Sequence, residues 1–120
     1  MSNRIDLTAA QEVVGPIVWN ELRLIRRLCW HHAVEAGGHD EIELVLRSEK
    51  EVGAYELTLS FNGIRGLKID DLEDPRMTGF DLLAISDRQW ESINWEIGDF
   101  EDNKLRFFCH SVSVESARRL

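Results

Sequence analysis

The run Tyr55-Glu56-Leu57-Thr58-Leu59-Ser60-Phe61-Asn62 constrains the fold more than any other stretch of the chain. Tyr55, Leu57, Leu59 and Phe61 share one parity and Glu56, Thr58, Ser60 and Asn62 the other. Successive side chains of a strand point to opposite faces, so this is a strand with one buried and one wet face. A one-sided strand needs neighbours and something to cover its apolar face. Ile42 to Arg47 supplies one neighbour, with Ile42, Leu44 and Leu46 alternating against Glu43, Val45 and Arg47. The charged Ser48-Glu49-Lys50-Glu51 lies between the two.

Further along, Phe80 to Ile85 reads as a strand, and Ile93, Trp95 and Ile97 alternate with Asn94, Glu96 and Gly98. Leu105, Phe107 and Cys109 share a parity that Val112 and Val114 do not, so a bulge is expected near His110-Ser111. Gly66 marks a bend or bulge before Leu67-Lys68-Ile69, and Asn62-Gly63 is compatible with a hairpin turn. Asp70 to Gly79 is a polar loop with Asp74-Pro75 as its turn signal. The tail Ala117 to Leu120 reads as frayed.

At the front, Thr8 and Gln11 fit a capping box, and a helix is expected from Leu7 to Val14, ended by Gly15-Pro16. Ile17 to Glu35 supports two readings. Val18, Leu22, Ile25 and Cys29 recur at helical spacing. Leu22, Leu24, Leu28 and Trp30 instead alternate as a strand would, and that strand would form a hairpin through Gly37-Gly38 with Ile42 to Arg47. No βαβ alternation is visible, which argues against a parallel sheet. The expected architecture is α+β: a single domain over residues 1–120, mostly antiparallel sheet of five or six strands, with an N-terminal helical element. At 120 residues and 43% hydrophobic, the chain can bury about 65% of its unfolded surface without metal or disulfide. Cys29 and Cys109 are read as buried free thiols, and Trp30 and Trp95 as core. No apolar run reaches about 18 residues and no signal-peptide core is seen, so the expected setting is the cytoplasm with no membrane contact.

The net charge of −8 is unevenly placed. Eleven acids lie between Asp70 and Asp102, opposed only by Arg76 and Arg88, while the rest of the chain is close to neutral. Such a field repels phosphate backbones and attracts a basic surface, so a basic protein partner is expected and nucleic acid is not. The acids placed by turn signals, Asp87, Glu91, Asp99, Glu101 and Asp102, are the candidate partner-binding residues. Trp90 is the candidate anchor, since a half-exposed Trp among charges is typical of an interface centre.

Catalytic chemistry has thinner support. Asp99 to Asn103 resembles a calcium loop only superficially, because Lys104 stands where the loop glycine belongs and His110 where the bidentate Glu belongs. Cys109 and His110 are strand neighbours and point apart. His31, His32, His39 and Asp40 could in principle hold a divalent metal and support a small hydrolase, which is the alternative reading, although their spacing matches no metal signature. No catalytic residue and no cofactor is assigned.

Three runs carry a resemblance: YELTLSFNGIRGLKI (Tyr55 to Ile69), GFDLLAISDRQWESINWEIGDFED (Gly79 to Asp102) and LRFFCHSVSV (Leu105 to Val114). Together they resemble a group of small bacterial proteins, some of which look like immunity proteins encoded in polymorphic toxin loci. The resemblance implies a protein that binds and neutralises a toxin domain. It assigns no binding residue; the acids named above rest on charge and expected exposure alone.

Overall fold

The computed structural model describes residues 5–70, 73–85 and 93–120. Tyr55–Asn62 (β3) forms as its alternation requires, every apolar residue buried. It lies between Glu41–Arg47 (β2) and Ser111–Arg119 (β8), and Leu24–His31 (β1) completes an antiparallel sheet in the order β1-β2-β3-β8. Arg65–Ile69 (β4), Phe80–Ala84 (β5), Trp95–Asp99 (β6) and Leu105–Cys109 (β7) form a second antiparallel sheet in the order β4-β7-β6-β5. The described residues thus form eight strands, more than the five or six expected, because segments read as continuous pass from one sheet to the other. The two sheets share one core, in which Phe61 of β3 meets Phe107 of β7 edge to face at 5.0 Å. No helix among the described residues is long and apolar enough to cross a membrane.

The helix Thr8–Val14 (α1) packs beside β8, and Arg119 Nε donates to the Val13 carbonyl at 2.6 Å. The expected capping box does not form. Thr8 N–H instead donates to the Asp6 carboxylate at 3.0 Å, which satisfies one of the free N–H groups of the first turn.

The undecided stretch becomes a short 3-10 turn, Trp19–Glu21, followed by β1. A register shift between Ile25 and Arg27 explains the ambiguity. Ile25 opposes Leu46 and Leu28 opposes Leu44, so two core-facing residues lie three apart with a bulge between them. A bulged strand therefore imitates a helical period.

His110 is a change of sheet. Cys109 ends β7 in one sheet and Ser111 begins β8 in the other, so Leu105, Phe107 and Cys109 face the core with one parity and Val112 and Val114 with the other. Asn62-Gly63-Ile64 is the matching corner from β3 to β4, and His110 N–H donates to the Asn62 carbonyl at 2.8 Å. The expected Asn62-Gly63 hairpin is thus replaced by a corner, because β4 pairs with β7 and not with β3. The bulge at Gly66 is present as a register shift between Arg65 and Lys68, with Gly66 at φ +64°. The tail is not frayed: Ala117, Arg118 and Arg119 pair with Leu57, Glu56 and Tyr55. Arg118 and Arg47 both bond the Glu56 carboxylate, at 2.9 and 3.1 Å. Trp30 is not core either. It lies at the far end of β1 and is 50% exposed, whereas Trp95 is half-buried against the core. Both cysteines are free thiols, Cys109 buried and Cys29 half-buried. Burial pushes the Cys109 thiol up to about 12, which keeps it an unreactive core residue.

Candidate functional site: the acidic turn between β6 and β7

β6 ends at Asp99 and β7 begins at Leu105, and the residues between them make the reversal. Asn103 N–H donates to the Asp99 carbonyl at 2.8 Å, and Asn103 itself takes a left-handed conformation at φ +54°, which asparagine tolerates well. The turn is stapled to the residues that lead into β5. Phe100 N–H donates to the Gly79 carbonyl at 2.9 Å, and Thr78 Oγ1 donates to Asp102 Oδ2 at 2.6 Å. A Cβ at Gly79 would lie 2.7 Å from Glu101 Cγ, so the absent side chain gives Glu101 its place. Arg106 lies over the Phe100 ring at 5.1 Å and donates to Asn103 Oδ1 at 3.0 Å.

Asp99 is fully buried, which corrects its assignment as a surface contact. Its Oδ1 accepts the backbone N–H groups of Gly79, Asp102 and Glu101 at 3.0, 3.2 and 3.3 Å. Burial acts to raise its pKa, but the hydrogen bonds from Asp102, Gly79, Glu101 and Thr78 outweigh that and hold the carboxyl below the usual carboxylate range. One carboxylate is therefore used inside the turn, and Glu101 and Asp102 are left exposed at its tip. Beside them a shallow hollow of about 230 Å³ is lined by Asn20, Thr78, Phe80, Asp81 and Phe100. Asp87, Trp90 and Glu91 lie outside the described residues.

Sequence reading missed Thr78 and Gly79 as the partners that fix this turn. They precede Asp99 by about twenty residues, and no local pattern joins a loop threonine to a distant aspartate.

The histidines do not form a shared site. His32 Nδ1 and the Trp30 indole N–H both bond Asp40 Oδ2, at 2.9 and 3.1 Å, while Ala33 N–H bonds Oδ1 at 2.9 Å. His31 turns away, with Nε2 3.4 Å from Cys29 Sγ. His39 lines one pocket with Arg65 and His110 and borders an adjoining hollow with Asp40. Among the described residues, no group of three or more His, Cys, Asp and Glu side chains is placed to hold a metal ion. The hydrolase alternative therefore finds no support in this arrangement.

The chain belongs to the immunity protein PIM8 family, whose model matches residues 18–115. Its role is accordingly that of an immunity protein. No curated protein and no solved structure matches the chain.

Proposed function

We propose that the protein binds and neutralises a toxin domain, and that the tip of the β6–β7 turn is part of the contact. The family match over residues 18–115 carries this reading. The turn supports the position: Glu101 and Asp102 are exposed, their backbone N–H groups are held by Asp99 Oδ1, and Thr78 Oγ1 steadies the Asp102 carboxylate. Preorganised carboxylates bind a cationic surface without the entropy cost of ordering a loop. Asp87, Trp90 and Glu91, from the same acidic stretch of the sequence, are further candidate contacts. A toxin that meets this segment presents a basic face, and the field of the segment speeds its approach.

The test is association with a candidate toxin domain taken from the gene neighbourhood, measured with wild type and with a Glu101→Gln, Asp102→Asn variant at several salt concentrations. The variant is expected to associate about tenfold more slowly at low salt, with a shallower salt dependence. Equal rates in both proteins would remove this turn from the interface. Absence of any binding by the wild type would remove the toxin-binding reading itself.

A further inference from the structure

The two corners where the chain changes sheet, Asn62-Gly63 and His110, meet at one end of the molecule. They enclose a pocket of about 160 Å³ lined by His39, Asn62, Gly63, Arg65 and His110. We infer that this pocket binds an oxyanion, a carboxylate or a phosphate.

In a chain with 22 acids and a net charge of −8, the described residues of the pocket wall supply two imidazoles, a guanidinium and an amide, and none of them is a carboxylate. Each of those side chains can donate a hydrogen bond, and the guanidinium suits a two-oxygen acceptor. Asp40 lines the adjoining hollow together with His39 and Arg65, but both its oxygens are bonded, to Ala33, Trp30 and His32. Arg65 makes no ion pair with any described residue, whereas Arg47, Arg76, Arg106 and Arg118 each have a glutamate. Among the described residues Arg23, Arg26 and Arg119 likewise make no ion pair, but of these arginines Arg65 is the one that lines this pocket, where it can meet an anion from outside.

The wall is also held in place by its neighbours. Asn94 Nδ2 donates to the His110 carbonyl at 2.9 Å, which fixes the orientation of that amide. The same nitrogen lies 3.4 Å from His110 Nδ1, so the imidazole as well as the carbonyl of His110 is placed by Asn94. Gly63, at φ +72°, makes the close approach possible: a Cβ there would stand 2.9 Å from His110 Cβ. The corner geometry therefore brings His110 and Arg65 to one cavity although they are far apart in sequence.

The anion can be a carboxylate side chain of a protein partner or a free ion such as phosphate, and the two are distinguishable. The experiment titrates the full-length protein with inorganic phosphate and, separately, with sodium acetate at constant ionic strength, following backbone and imidazole resonances by NMR. Saturable shifts confined to Asn62, Gly63, Arg65 and His110, with a dissociation constant of about 1 mM, are expected. Arg65→Gln should weaken binding about tenfold, and His39→Gln should weaken it by less. Arg65 and His39 are both exposed, so the two variants are expected to unfold at the wild-type denaturant midpoint. Tighter binding of phosphate assigns a free-anion site, and comparable binding of acetate assigns a carboxylate-receiving site. Shifts that do not saturate, or that are unchanged in Arg65→Gln, overturn the inference. The toxin-binding reading stands or falls separately, because it rests on the family and on a different turn.

Discussion

Asp40 and Asp99 are both aspartates at strand connections that accept backbone N–H groups, and they end in opposite situations. Asp40 closes the β1–β2 connection and uses both oxygens on Ala33, Trp30 and His32. The Ala33 N–H and the His32 ring, against the opposing effect of burial, hold its carboxyl below the usual range. The neighbouring polar groups are consumed locally, and the segment shows little charge to a partner. Asp99 is buried beneath its turn and spends one oxygen on three backbone donors. That leaves Glu101 and Asp102 to project outward. Both aspartates are thus scaffold, but the Asp99 bonds fix the backbone of a turn whose other acids, Glu101 and Asp102, stay exposed, and the Asp40 bonds fix no such display.

The largest expected effect tests the platform under the acidic turn. A Cβ on Gly98 would stand 2.3 Å from the Leu105 carbonyl oxygen, a backbone atom that cannot move without breaking the β6–β7 pairing. Gly98→Ala is expected to cost about 3 kcal/mol or more, read as a lower denaturant midpoint. A midpoint within error of wild type would mean that β6 and β7 can separate cheaply, and the turn would then not be rigid.

Next comes Asp99→Ala, which leaves the N–H groups of Gly79, Glu101 and Asp102 without their acceptor. A loss of about 2 kcal/mol is expected by denaturant unfolding at neutral pH. The pH dependence has a defined sign. The folded-state pKa of Asp99 is depressed, so its contribution is fully present above the unfolded value of about 3.9 and is lost as pH falls through the lower folded value. Asp99→Asn should therefore flatten the acid limb of the stability profile below about pH 4. An unchanged acid limb would show that Asp99 does not hold the turn by its charge.

The smallest expected effect is on the stability of the Glu101→Gln, Asp102→Asn variant, which should stay within about 0.5 kcal/mol of wild type. A large loss would place these two residues with Asp99 as scaffold and would end the contrast between the two kinds of acid. Their expected effect is on association with the toxin domain alone.

Several elements are legible in the amino-acid order because their signal is local. β2 and β3 follow from clean alternation, and α1 from good helix formers ahead of Gly15-Pro16. The parity break at His110 is visible too, but its meaning is not. Both a bulge and a change of sheet reverse the inward parity, and only the pairing partners distinguish them. β1 is ambiguous because one inserted residue at Arg26 gives a strand the spacing of a helix. The acidic turn can be located, but not which of its acids faces outward, since Asp99 is fixed by Gly79 across the sheet edge.

By itself, then, the sequence determined an antiparallel, one-core β-rich chain with its negative charge concentrated between Asp70 and Asp102. Side-chain period and charge are properties of neighbouring residues, so they can be read directly. The tertiary structure alone decided that β7 and β8 belong to different sheets, that Ala117 to Arg119 are strand, that Trp30 is exposed and that Asp99 is not. Those outcomes depend on which distant segment lies opposite each residue. Tyr55 and Arg119 are partners across about half of the chain, and no local pattern encodes that pairing.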